Sequence, residues 1–115
     1  MQEIELIEQQ LRKIKEQNKL IIVEGKKDKI ALKNLGISNI ITLNKPLFQI
    51  VEIISERTKE CIILTDLDKE GKKLYSELAK NLKKYRVKVD DSFRNFLFKE
   101  TELRQIEGII NYLNK

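Results

Sequence analysis

Asp66, Asp68 and Glu70 alternate along the stretch IILTDLDKEG, residues 62–71. Carboxylates this close must repel: two like charges ~4 Å apart cost roughly 4 kcal/mol at an effective dielectric of ~20. Acids after a strand also form turns and cap helices, so the stretch taken alone is equally well explained as a solvated turn. Without a cation, crowded acids raise one another's pKa or splay apart. A divalent cation resolves the crowding, because it takes several hard oxygen ligands in one place. The chain has no histidine and one cysteine, Cys61. That removes His-based triads, His general acid–base catalysis, the usual zinc sites and any disulfide framework. A metal here is therefore held by oxygen, which favours magnesium, manganese or calcium.

The elements that would carry these acids can be read from periodicity. Ile4, Ile7, Leu11 and Ile14 recur at helical spacing, so residues 1–18 read as an amphipathic helix. LIIV (20–23) and CIILT (61–65) are short continuous apolar runs, the pattern of strands buried on both faces. NIITL (39–43) and RVKV (86–89) read as two further strands. Between them KKDKIALKNLG reads as a helix closing on Gly36, and Pro46 opens a second helix through Leu47, Ile50, Val51 and Ile54. A third helix runs from Gly71 through Leu74, Tyr75, Leu78, Ala79, Leu82 and Tyr85. The tail is ambiguous. FRNFLF is either a helix capped by Asp91 or Ser92 or a strand, and Leu103, Ile106, Ile109, Ile110 and Leu113 make a last amphipathic helix. Alternating strands and helices predict an α/β fold: a four-stranded, mostly parallel, Rossmann-like sheet flanked by helices. Ligands of such sheets bind outside the carboxyl ends of the strands. Glu24 follows the first strand and Asp66 and Asp68 the third, so adjacency of those strands would bring the acids together.

Two other acidic motifs are set aside. DLDKEGKKLYSE places Asp66, Asp68, Glu70, Gly71 and Glu77 at positions 1, 3, 5, 6 and 12 of a calcium loop. An EF-hand, however, needs a helix before the loop, and ECIILT reads as a strand. Phosphatases of the haloacid-dehalogenase type use a strand followed by Asp-x-Asp, but normally on the first strand. The ordered pair LIIVEGKKD and IILTDLDKEG instead resembles the Toprim domain of type IA and type II topoisomerases, bacterial primases, the maturase of small ribosomal RNA and nuclease-like proteins. VEGKKDKIALKNLGISNIITLNKPL, LTDLDKEGKKL and TELRQIEGI look like the small stand-alone Toprim proteins of archaea and bacteria. The likeness spans residues 20–112, which makes 1–115 a single Toprim domain with an added N-terminal helix.

The resemblance implies magnesium-dependent phosphodiester chemistry, with manganese a substitute. It implies Asp66 and Asp68 as metal ligands and Glu24 as general acid or base sharing the metal. Glu70 falls where topoisomerases carry a third aspartate, which makes it a further candidate metal ligand. Gly25 is expected to let the backbone turn tightly beside a phosphate. Lys26 and Lys27 stand at a helix start that favours anions, with Gly71 and Lys72 placed similarly. Tyr75 and Tyr85 are expected to pack in the core, since the topoisomerase tyrosine lies on another domain.

Net charge is +5 at pH 7, which fits a polyanion partner weakly. Lys80, Lys83, Lys84, Arg86 and Lys88 form a basic run, read first as a solvated face and second as a nucleic-acid path. With no apolar run of ~18 residues and no signal-peptide layout, the chain is expected to be soluble and cytoplasmic, with no membrane partner. Two functions stand side by side. One is a magnesium-dependent nuclease acting on RNA or DNA. The other is a non-catalytic nucleic-acid-binding or adaptor module within a larger processing complex.

Overall fold

The computed structural model describes residues 3–102 and 104–113, with the backbone alone for Asn111 and Tyr112. Helix α1 (Glu3–Gln17) buries Ile7, Leu11 and Ile14 and ends where Asn18 adopts φ 50°. Then follow β1 (Leu20–Val23), α2 (Lys26–Asn34), β2 (Ile40–Thr42), α3 (Leu47–Arg57) and β3 (Glu60–Leu64). The chain continues through α4 (Lys69–Lys84), β4 (Lys88–Val89), α5 (Ser92–Glu100) and α6 (Ile106–Leu113). FRNFLF is thus helical, and Leu103 lies outside the described residues.

The strands form one sheet in the order β2-β1-β3-β4, and every pairing is parallel. All of β1 is buried, as is β3 from Cys61 on, because both faces are covered. Ile21, Val23, Ile62 and Leu64 pack with α1, α2, α5 and α6 on one face. Leu20, Ile22, Cys61 and Ile63 pack with α3 and α4 on the other. This two-sided burial is why the strands read as unbroken apolar runs rather than alternating ones. From β1 the chain steps outward to β2, then crosses back to β3 on the opposite side of β1. The reversal opens a crevice at the carboxyl ends of β1 and β3, the switch point where open α/β sheets bind ligands.

Gly36 closes α2 with φ 87°, its N–H bonding Lys33 O at 2.9 Å while Ile37 N–H bonds Leu32 O at 3.2 Å. Arg86 closes α4 in the same way at φ 62°, a left-handed position more usual for glycine. Tyr75 packs half-buried against α3 and α4's side of the sheet. Tyr85 does not enter the core: it caps the end of α4 and is 48% exposed.

At the amino edge of the sheet Lys19 Nζ bonds Asp90 Oδ2 at 3.0 Å and Glu60 Oε1 at 3.1 Å. Asp90, rather than Asp91 or Ser92, does the capping at α5: its Oδ1 accepts from Ser92 N–H at 3.1 Å and Ser92 Oγ at 2.7 Å. Partial burial pushes the Asp90 carboxyl up, but the Ser92 and Lys19 hydrogen bonds together outweigh it and hold the pKa down at about 2. A depressed carboxylate stabilises the fold above its ordinary pKa and loses that contribution as pH falls towards 2. Asp90→Asn should therefore cost about 1 kcal/mol at pH 7, once screening of this surface pair is allowed for. The gap between variant and parent should narrow as the pH of urea titrations drops from about 4 towards 2. A gap unchanged across that range would remove Asp90 from the acid response.

Candidate active site

The register sets Val23 beside Leu64, so Glu24 and Thr65 are the next residues out of two adjacent strands. Both chains turn there. Glu24 Oε1 accepts the Asp66 N–H at 2.9 Å, so one carboxylate stitches the two strand ends together. Thr65 is fully buried, its hydroxyl donating to Gly71 O at 2.7 Å. Asp68 caps α4 by accepting the Gly71 N–H at 2.8 Å. Asp66 Oδ1 accepts the N–H of Ile106, the first residue of α6, at 2.8 Å. Each acid foreseen from the sequence at positions 24, 66 and 68 is thus held by a backbone N–H, and each carboxylate has a second oxygen besides.

Glu24 and Asp66 line one cleft of about 370 Å³ with Gly25, Lys26, Lys27, Asp28, Gln105 and Glu107. Asp68 and Glu70 are exposed outside that lining, Glu70 in the first turn of α4, where an acid suits the positive end of the helix. Burial raises the Glu24 pKa; the Asp66 N–H opposes this, while the charges of Asp66, Asp68 and Asp28 add to it. Glu24 therefore feels all three neighbours as like charges. Among the described residues no three acids are grouped tightly enough to be a preformed metal cage. The donor set nonetheless fits a hard divalent cation: carboxylate oxygens only, mutually repelling, at a ligand crevice.

Two residues that sequence reading passed over complete the site. Asp28 is only 9% exposed, and its Oδ2 accepts the Gly25 N–H at 3.2 Å. Burial raises its pKa, the Gly25 N–H opposes, and the charges of Asp66 and Glu107 add. Arg94, 6% exposed, climbs from α5 to donate to Thr65 O, to Thr65 Oγ1 at 3.0 Å and to Asp66 O at 3.0 Å. Its guanidinium carbon also lies 4.6 Å from the Tyr75 ring centroid. Burial lowers its pKa, while Tyr75, Glu24, Asp66 and Asp68 pull the other way. A buried cation thus stands behind the acids. Its trace in the sequence was slight: one arginine placed between Phe93 and Leu97 on an otherwise apolar helix face.

The glycines depart from expectation. Gly25 is extended at φ −144°, which any residue adopts, and a Cβ there would meet nothing within 4 Å. What glycine leaves at this point is open space beside the cleft rather than a tight turn. Gly71 is buried beneath the backbone of Asp66, so its place is internal packing and not an open approach for a ligand. Lys26, Lys27 and Lys72 are exposed. The basic run is exposed too, but it follows α4 down to β4, which pairs with Glu60 and Cys61 at the far end of β3. It lies away from the crevice.

Residues 19–92 match the Toprim domain. A UPF0292 protein of Methanocaldococcus jannaschii is 35% identical over 117 residues, covering 97% of this chain and 90% of its own length. One from Pyrococcus abyssi is 40% identical over 103 residues, covering 89% of this chain and 77% of its own. Among solved structures, an Aquifex aeolicus protein aligns with a TM-score of 0.82 at 32% identity, covering 88% of this chain and 95% of that one. The zinc-binding and RNA polymerase domains of the Aquifex aeolicus primase align at 0.57 and 26% identity, covering 89% of this chain and 27% of that one. Among the described residues no helix is long and apolar enough to cross a membrane. The parallel sheet, the acids at its switch point and these matches together place the chain in the Toprim domain family.

Proposed function

We propose that this protein cleaves phosphodiester bonds in RNA or DNA with magnesium as cofactor, manganese serving in its place. The observation that carries the reading is the meeting of Glu24 and Asp66, from separate strands, in a cleft that Lys26 and Lys27 also line. Similarity to a primase with an RNA polymerase domain supports a nucleic-acid substrate. With Asp66 and Asp68 as its ligands, the cation would neutralise phosphate charge and favour in-line displacement. Glu24, with its pKa raised by burial, is the group suited to carry a proton to the departing oxygen. The Asp66 N–H fixes that side chain through Oε1. Lys26, Lys27 and the first N–H groups of α2 orient the phosphate.

The test is cleavage of end-labelled single- and double-stranded RNA and DNA with magnesium or manganese. Glu24→Gln and Asp66→Asn should each slow cleavage about a hundredfold or more. Glu70→Gln, at an exposed position on α4, should stay within about threefold, since exposed charges are screened. A wild-type protein that leaves every substrate intact would sink the enzymatic reading.

Exposed Lys26 and Lys27 on the cleft also suit a second reading, a binding or adaptor module in a larger RNA- or DNA-processing complex. It predicts salt-sensitive nucleic-acid binding that survives Glu24→Gln in a protein without cleavage activity.

A further inference from the structure

Phe98 is 45% exposed, although Phe93 and Leu97 on the same helix are buried. A lone exposed phenylalanine is ordinary on a protein surface, so its neighbours decide what it means. Lys72 Nζ lies 4.6 Å from its ring centroid and Arg104 Cζ 5.1 Å. Both cations are tied to the acidic loop through their own backbones. The Lys72 N–H bonds Asp68 O at 2.9 Å, and Arg104 O accepts the Leu67 N–H at 2.5 Å. A half-exposed aromatic ring flanked by two positive charges therefore stands beside Asp66–Asp68, on the flank of the cleft.

An aromatic ring next to cations is the surface that single-stranded nucleic acid recognises: unpaired bases offer π faces, and phosphates offer negative charge. A duplex keeps its bases stacked inside and offers no face without flipping one out. A cation over an exposed ring is a weak, exchangeable contact. A base that takes its place releases Lys72 to a neighbouring phosphate, while Arg104, whose Nη1 donates to Thr101 O at 2.8 Å, keeps its charge in place beside the ring, so stacking and charge pairing reinforce each other. We propose that Phe98, Lys72 and Arg104 form a stacking platform that makes this edge take single-stranded nucleic acid in preference to duplex. The proposal rests on the nucleic-acid reading above and is independent of cleavage.

The test uses a fluorescent single strand of about 12 nucleotides, within the span one such module covers, and the duplex of the same sequence. Anisotropy is followed with magnesium present, in a Glu24→Gln background so that turnover does not enter. The single strand should bind more tightly. Adding Phe98→Ala should weaken single-strand binding about tenfold and leave the duplex nearly unchanged, while Phe98→Trp keeps the preference. Phe98→Leu retains apolar bulk and should lose the preference as Phe98→Ala does, with its melting temperature preserved. Equal affinity for both strands, or single-strand affinity indifferent to Phe98→Ala and Phe98→Leu, overturns the platform alone. No binding to either form overturns it together with the nucleic-acid reading.

Discussion

Gly71→Ala should destabilise the protein by about 4 kcal/mol, the sum of an overpacking strain and broken hydrogen bonds. The added Cβ would lie 2.0 Å from Asp66 O, 2.5 Å from Asp66 C and 2.8 Å from Asp66 N. Those are backbone atoms, so no rotamer change relieves the clash. Either the first turn of α4 or the turn after β3 must move by about 1.5 Å to reach ordinary contact distance. Such a shift strains three anchors together: Thr65 Oγ1 to Gly71 O, the Gly71 N–H to Asp68, and Arg94 to Asp66 O. About 4 kcal/mol is a large share of the stability of a small domain. Gly25→Ala is the internal control. With extended backbone and open space at its Cα, it should cost no more than about 1 kcal/mol, the loss of a glycine N-cap to α2. Urea denaturation of both variants reads the difference, and a Gly71→Ala protein as stable as Gly25→Ala would refute the contact.

Arg94→Met should cost about 3 kcal/mol, because it takes a charged donor away from buried acceptors that have been desolvated. Methionine roughly keeps the volume and the contact with Tyr75, so the loss is electrostatic rather than a cavity. It withdraws the donors from the carbonyls of Thr65 and Asp66 and from the Thr65 hydroxyl. It also removes the buried positive charge behind Glu24, Asp66 and Asp68. Arg94→Lys should recover only part of the loss. An ammonium is a point charge and cannot reach two carbonyls and a hydroxyl in the fork that a guanidinium spans. The check is chemical denaturation of both variants. Equal stability of Arg94→Lys and the parent would mean that charge alone suffices and that the fork is unimportant.

The elements were legible because their cause is local. Two unbroken apolar runs, LIIV and CIILT, carry the two-sided burial of central strands within four or five letters. LIIV became β1 unchanged, and CIILT became β3 shifted by one residue at each end. Gly36 could be read as a helix stop because a left-handed cap penalises a Cβ. The weakest element was β4: RVKV shrank to Lys88–Val89, since an edge strand paired on one side needs little apolar content. Tyr85 was misjudged for a related reason. It follows the stripe of α4, but the helix ends there and the residue caps it instead of packing.

By itself the sequence determined the α/β alternation, and it placed Glu24 directly after one strand and Asp66 and Asp68 in the loop that follows another. Acid identity and position are properties of the chain, and the oxygen-only donor set follows from the absence of histidine. Tertiary structure decided which groups stand around those acids. Asp28 joins Glu24 and Asp66 in the cleft because the first turn of α2 brings its carboxylate back to the Gly25 N–H just beyond β1. Arg94 arrives from 28 residues beyond Asp66 because β4 registers low on β3, so that α5 must climb back to the site. Gly71 is glycine because the Asp66 backbone folds over it, a contact no periodicity announces. Backbone pattern is written along the chain, whereas compensation of buried charge is set by distances that exist only after the sheet closes.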